Sequence, residues 1–141
     1  MIQQTYCNVF AKNLLQGTEN FTLTTPYTYK MALYDATASL GPTTVSYTSA
    51  GEIVGSGYTA GGKTLVPVPP SVDQQNNTAY FSFLNPTWNP AAFTARGALV
   101  YNSTTGAACF VLDFGADKTA TSTFTVTFPV ADSTNAIIRI N

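Results

Sequence analysis

Thr121-Ser122-Thr123-Phe124-Thr125-Val126-Thr127-Phe128 decides the fold class. On an extended backbone Phe124, Val126 and Phe128 fall on one side and Thr123, Thr125 and Thr127 on the other, the period of two that marks a half-buried strand. Outward from it the alternation recurs at Tyr27-Thr28-Tyr29-Lys30-Met31-Ala32-Leu33-Tyr34, where Tyr27, Tyr29, Met31 and Leu33 share a face. Further strands are expected at Thr43 to Thr48, Thr64 to Val68, Thr78 to Leu84, Phe93 to Tyr101, Ala107 to Phe114 and Ala136 to Ile140. The separators carry turn chemistry: Leu40-Gly41-Pro42, Gly55 to Gly62, Pro67 to Pro70, Asn85 to Pro90, Ser103 to Gly106 and Gly115 to Lys118. Only the start departs from this period, because Ile2, Tyr6, Val9, Phe10 and Leu14 recur at helical spacing before Gly17, a C-terminal cap. The reading is mainly β. Residues 1–141 form a single antiparallel β-sandwich or jelly-roll-like domain, with a short N-terminal helix in residues 1–17 and the sandwich in 20–141.

The composition narrows the function. Charged residues are 9% of the chain, against about 25% in typical soluble domains, so the exterior consists mostly of Thr, Ser, Asn, Gln and Tyr. Such a surface is covered by neighbours at little desolvation cost. A net charge of −1 without a Lys/Arg cluster argues against nucleic acid. Hydrophobic residues at 45% and aromatics at 13% supply a packed core. No run approaches the ~20 apolar residues of a membrane span, and Met1-Ile2-Gln3-Gln4 lacks the basic start of a signal peptide. A soluble protein made in a cytosol is expected. The acceptor pattern for glycosylation at Asn20, Asn76 and Asn102 is discounted for the same reason.

Several motifs look like chemistry. Gly57-Tyr58-Thr59-Ala60-Gly61-Gly62-Lys63-Thr64 matches the phosphate-loop pattern GxxxxGK followed by Ser or Thr. That loop works only with a helix starting at Lys-Thr, whose free amides and dipole hold the phosphates. Here Leu65-Val66-Pro67-Val68-Pro69-Pro70 follows, and the prolines remove donors and force extended backbone. The match is read as coincidence and the chain as a non-enzyme with no cofactor. The glycines instead permit positive φ angles in an exposed loop, with Tyr58 at its tip or folded back as an anchor. Cys109 to Asp113, Gly55 to Ala60 and Asp113-Phe114-Gly115 echo other nucleotide motifs but lack their helices and partner motifs. Without histidine, acid–base chemistry falls to scattered carboxylates, of which Asp113 and Asp117 are the close pair. Flanking an expected hairpin turn at Gly115, they read as turn-forming and solvated, with a weak cation site or catalysis as alternatives. Cys7 and Cys109 fit no redox or zinc spacing and read as buried apolar residues rather than a disulfide. The strand tyrosines suit core, protein contact or ligand stacking, and Trp88, stiffened by prolines, suits a packed hook or a sugar platform.

Taken in order, Lys30-Met31-Ala32-Leu33-Tyr34, the Gly-Tyr-Thr-Ala-Gly-Gly core of residues 57–62, Ala95 to Asn102, Val111 to Lys118 and Ala136 to Ile140 resemble small structural proteins of tailed bacteriophages and prophages. The likeness spans nearly the full chain, with a short helix ending near Gly17 ahead of the Lys-x-Ala-Leu-Tyr strand. It departs in the proline-rich Val66 to Val72 segment and the Asn-Pro repeats around Trp88. The resemblance implies a non-enzymatic virion component of β-sandwich type, assembled in the bacterial host cytoplasm. Its expected station is a capsid cement or decoration protein bridging major capsid subunits; the alternatives are a neck or tail component and a receptor- or glycan-binding decoration. Expected partners are the major capsid protein, other virion proteins and further copies of the chain in a dimer or trimer, with no nucleic acid, membrane or metal. Edge strands, the N-terminal helix and the glycine loop would make the contacts, through Tyr6, Phe10, Leu14, Tyr58 and Trp88.

Overall fold

Strands built from alternating and continuous apolar runs pair antiparallel in a computed structural model that describes residues 1–141. In chain order the elements are β1 (Thr5–Tyr6), α1 (Asn8–Gln16), β2 (Tyr29–Tyr34), β3 (Lys63–Thr64), β4 (Pro67–Asp73), β5 (Thr78–Phe83), β6 (Thr87–Trp88), β7 (Phe93–Asn102), β8 (Ala108–Ala120), β9 (Phe124–Thr125) and β10 (Ile138–Ile140). They form a five-stranded sheet ordered β1-β8-β7-β2-β3, a three-stranded sheet ordered β10-β5-β4, and the pair β6-β9. The fold is mainly β and sandwich-like.

The core lies between the larger sheets and is aromatic. Phe21 stacks on Phe81 with ring centroids 4.0 Å apart, and Phe83 meets Tyr29, Phe110 and Phe128. A second aromatic group joins Trp88, Phe93 and Phe124. Every residue of β2 except Lys30 is buried, although its sequence alternates. The reason is the long connection from residue 35 to 62, which folds over the second face and buries Ala32 and Tyr34 as well.

The helix starts at Asn8, because Thr5 and Tyr6 pair instead with Val111 and Phe110 of β8. Gly17 caps it at φ 73°, its amide donating to the Asn13 and Leu14 carbonyls. The alternation of 123–128 is realised in burial, with Phe124, Val126 and Phe128 inside and the threonines exposed, yet only Phe124–Thr125 makes a ladder. Several expectations need correction. Thr64 to Val68 is divided between β3 and β4, and Asn85 to Pro90 contains β6. Thr43 to Thr48 is not a strand: it makes one bridge, from Ser46 to Ala107, and otherwise meets the sheet through side chains, Tyr47 stacking on Tyr101 and the Thr48 carbonyl accepting from Tyr34. Pro67 to Pro70 is part of β4, an edge strand that tolerates prolines, with a register shift between Val68 and Ser71. No hairpin forms at Gly115: β8 runs through it, bulging between the Gly97–Asp113 and Ala95–Lys118 pairs.

Candidate functional site

The phosphate-loop match is explained by packing. Lys63 begins β3 and a further strand, not a helix, follows from Pro67. Gly57 and Gly62 hold φ of 86° and 83°, and a Cβ on either would lie 1.9 Å from a carbonyl oxygen, of Pro90 and Met31 respectively. Glycine is required there by close backbone approach. The Lys63 ammonium sits 5.9 Å from the centroid of the Trp88 ring, a cation–π contact.

Tyr58 folds inward as an anchor, and its target is a residue that motif reading passed over. Glu52 Oε1 accepts from the Tyr58 hydroxyl at 2.6 Å and from the Gly61 amide at 2.7 Å. Its Oε2 accepts from the Tyr47 hydroxyl at 2.5 Å. The Tyr58 oxygen in turn accepts from the Leu33 amide of β2 at 2.9 Å. Around this knot Tyr101 donates to the Gly61 carbonyl at 2.6 Å and Tyr34 to the Thr48 carbonyl at 2.6 Å. Burial and the adjacent carboxylate push the Tyr47 phenol up to about 12, and Tyr58 is moved in the same direction. The knot pins the long connection to the sheet. A lone glutamate outside any periodic segment leaves no sequence signal; only the density of tyrosines around it hints at the arrangement.

Two apolar grooves lie beside β10. The first, a cavity of about 330 Å³, is lined by Tyr6, Phe110, Leu112, Phe128, Pro129 and Ile137 among others. Tyr6 is 50% exposed, packs edge-on to Phe110 at 6.4 Å, and donates from its hydroxyl to the Ile137 carbonyl at 2.6 Å. The second, about 140 Å³, is lined by Leu14, Phe21, Pro70, Phe81, Ile138 and Ile140, with Ala79 and Tyr80. No charged side chain lines either groove. Leu15, beside Leu14 on α1, is 91% exposed and Ile140 63%.

Of the expected contact residues, Tyr6 and Leu14 are thus brought to one side of the molecule, while Tyr58 is half-buried and committed to Glu52. Phe10 and Trp88 need correction. Phe10 is 2% exposed, wedged among Tyr6, Phe21 and Phe110, and Trp88 is 4% exposed among Tyr58, Phe93 and Phe124. Each fills the molecule's own interior, so neither offers a partner a surface; for Trp88 this is the packed hook rather than the sugar platform.

The carboxylates are also spoken for. All but Asp117 of the seven acidic side chains accept hydrogen bonds within the fold. The Gly115 amide, at 2.8 Å, and Arg96, at 3.2 Å, hold the Asp113 carboxyl below its usual range. Cys7 and Cys109 are buried free thiols on paired backbone, the Cys7 amide donating to the Cys109 carbonyl at 2.9 Å. Burial pushes the Cys7 thiol up to about 11. No three His, Cys, Asp or Glu residues cluster as a metal site, and no helix is long and apolar enough to cross a membrane. No protein family, curated protein or solved structure matches the chain.

Proposed function

We propose that the protein is a non-enzymatic structural subunit of a phage virion, of the cement or decoration class, that docks on neighbouring capsid subunits through the side formed by β1, α1 and β10. The observation that carries this reading is the pair of uncharged apolar grooves flanking β10, with Ile140 of the smaller groove exposed and Leu15 exposed on α1. Apolar surface left in water on a small domain favours a covered state. A stable contact buries roughly 1,600 Å² in total, a modest share per partner of a chain with 7336 Å² of accessible surface. Repetition around a shell multiplies weak contacts into firm attachment. The aromatic core suits a mechanical role, since its Phe21, Phe81, Phe110 and Phe128 line the grooves and hold them in fixed relation.

The test is to mix purified protein with expanded capsids of a phage that encodes it and count bound copies by mass. Copies in the hundreds, with a shell more resistant to heat, support the cement role. A count matching a single vertex, or no shell binding, rejects it and moves the protein to the neck or tail.

A further inference from the structure

Glu19 lies in the connection between α1 and β2 and is 8% exposed. Its Oε2 accepts from the Tyr29 hydroxyl at 2.7 Å and from the Asn102 side-chain amide at 3.2 Å. Its Oε1 is buried and makes no well-formed hydrogen bond, with the Asn13 side chain of α1 the nearest donor to the carboxyl besides Tyr29 and Asn102. No Lys or Arg lies within ion-pair distance; the molecule's ion pair is Arg96 with Asp113, at 3.2 Å. The groups facing it are Tyr29 from β2, Asn102 from β7, Cys109 from β8 and Asn13 from α1. Tyr29 and Cys109 are the titratable ones, and burial drives both phenol and thiol far up, so both stay neutral and neither offers a positive charge.

An ionised carboxylate in such a place is penalised by loss of water, and the hydrogen bonds from Tyr29, Asn102 and Asn13 offset that cost only in part. The neutral acid escapes most of this cost. We infer that Glu19 is a proton-operated latch: neutral, it fastens the connection after α1 to the sheet, and ionised, it loosens that connection together with the helix. The mechanical link is short. The Asn20 amide donates to the same Tyr29 hydroxyl at 3.0 Å, and Phe21 next to it packs on Phe10 of α1 and stacks on Phe81 of β5. Phe21 and Leu14 also line the smaller groove, so the latch would set the shape of that groove.

Desolvation raises the Glu19 carboxyl above its ordinary 4.5. With a folded value above the unfolded one, this group's contribution is complete below the unfolded value and is lost as pH rises through the folded value. The experiment compares the full-length wild type with Glu19→Gln, which keeps the shape and a carbonyl acceptor but cannot ionise. Carboxyl carbon shifts are followed by NMR against pH. Amide exchange in α1 and residues 17–28 is measured from about pH 4 to about pH 8, on both sides of the Glu19 midpoint that the titration gives, and corrected for intrinsic rate. The latch is supported by a Glu19 midpoint above 4.5 together with protection that falls in the wild type, about tenfold for each pH unit by which that midpoint exceeds the unfolded one, and stays constant in Glu19→Gln. A midpoint at or below 4.5, or equal pH dependence in both proteins, overturns it. Should the variant fail to fold, the wild-type exchange decides, and protection of α1 and residues 17–28 that does not fall through the Glu19 midpoint overturns the latch.

Discussion

Glu52 shows how much one side chain can organise. It gathers two phenols and one amide from three points of the long connection, and hydrogen bonds to a charged group contribute about 1.5–3 kcal/mol each when buried. Because Glu52 is only half-buried, Glu52→Ala is expected to cost about 2–3 kcal/mol in urea unfolding, with Glu52→Gln losing less; a neutral result for Ala would mean that the connection is held by its aromatic packing alone. The same knot fixes an alkaline response. Tyr47 is neutral in the fold up to about 12, above its ordinary 10.0, so its contribution is full below the ordinary value and disappears as pH rises from there toward the folded one. Absorbance titration of phenolate should show ionisation delayed in the wild type and advanced in Glu52→Gln. Ser82 is the opposite case, a buried hydroxyl in β5 with no partner. Removing it in Ser82→Ala should leave stability equal or raise it by up to about 1 kcal/mol; a clear loss would require a bond that the structure does not contain. Tyr58 is legible in the sequence as a loop tip or an anchor, whereas Glu52 and Ser82 are not, because single polar residues carry no period.

At the scale of elements, apolar period identifies most strands and their inward residues, and it fails where a strand's partner, not its own residues, decides. Thr43 to Thr48 alternates well enough but finds no ladder, while the prolines of 67–70 read as a break and are accommodated because β4 is an edge. Gly115 illustrates the same limit: a glycine between two aspartates suits a hairpin, yet the hairpin is made one turn earlier, at residues 103–106, and Gly115 becomes a bulge. The two kinds of glycine separate experimentally. Gly115 has φ 78° with open space where a Cβ would go, so Gly115→Ala should cost only the left-handed strain, about 1–2 kcal/mol. Gly62 has φ 83° and backbone 1.9 Å from the Cβ position, so Gly62→Ala should unfold the β2–β3 junction or lower the melting temperature far more. Equal losses at both sites would refute the claim that crowding, rather than φ alone, demands glycine in the phosphate-loop match.

For the molecule as a whole, the sparse charge of the sequence finds its structural counterpart in where the charge is spent. The carboxylates are absorbed by turns, the Glu52 knot and the Glu19 site, and the grooves beside β10 are left without any charged wall. The composition makes a coverable surface legible; which side is apolar is not, because that depends on how α1, β1 and β10 meet in space from opposite ends of the chain. An attachment through these grooves would rest on apolar burial, not on ion pairs. Salt between about 0.1 M and 1 M shortens the screening length from roughly 10 Å to 3 Å and weakens charge-driven contacts steeply, but it leaves apolar burial intact, and sulfate strengthens it. Binding to expanded capsids should therefore hold nearly constant across that range and tighten in sulfate. Leu15→Glu and Ile140→Glu, at positions that already face water, should abolish binding without lowering the melting temperature. Steep loss of binding with salt, or undiminished binding by both variants, would move the contact away from β10 and toward the lysines elsewhere on the surface.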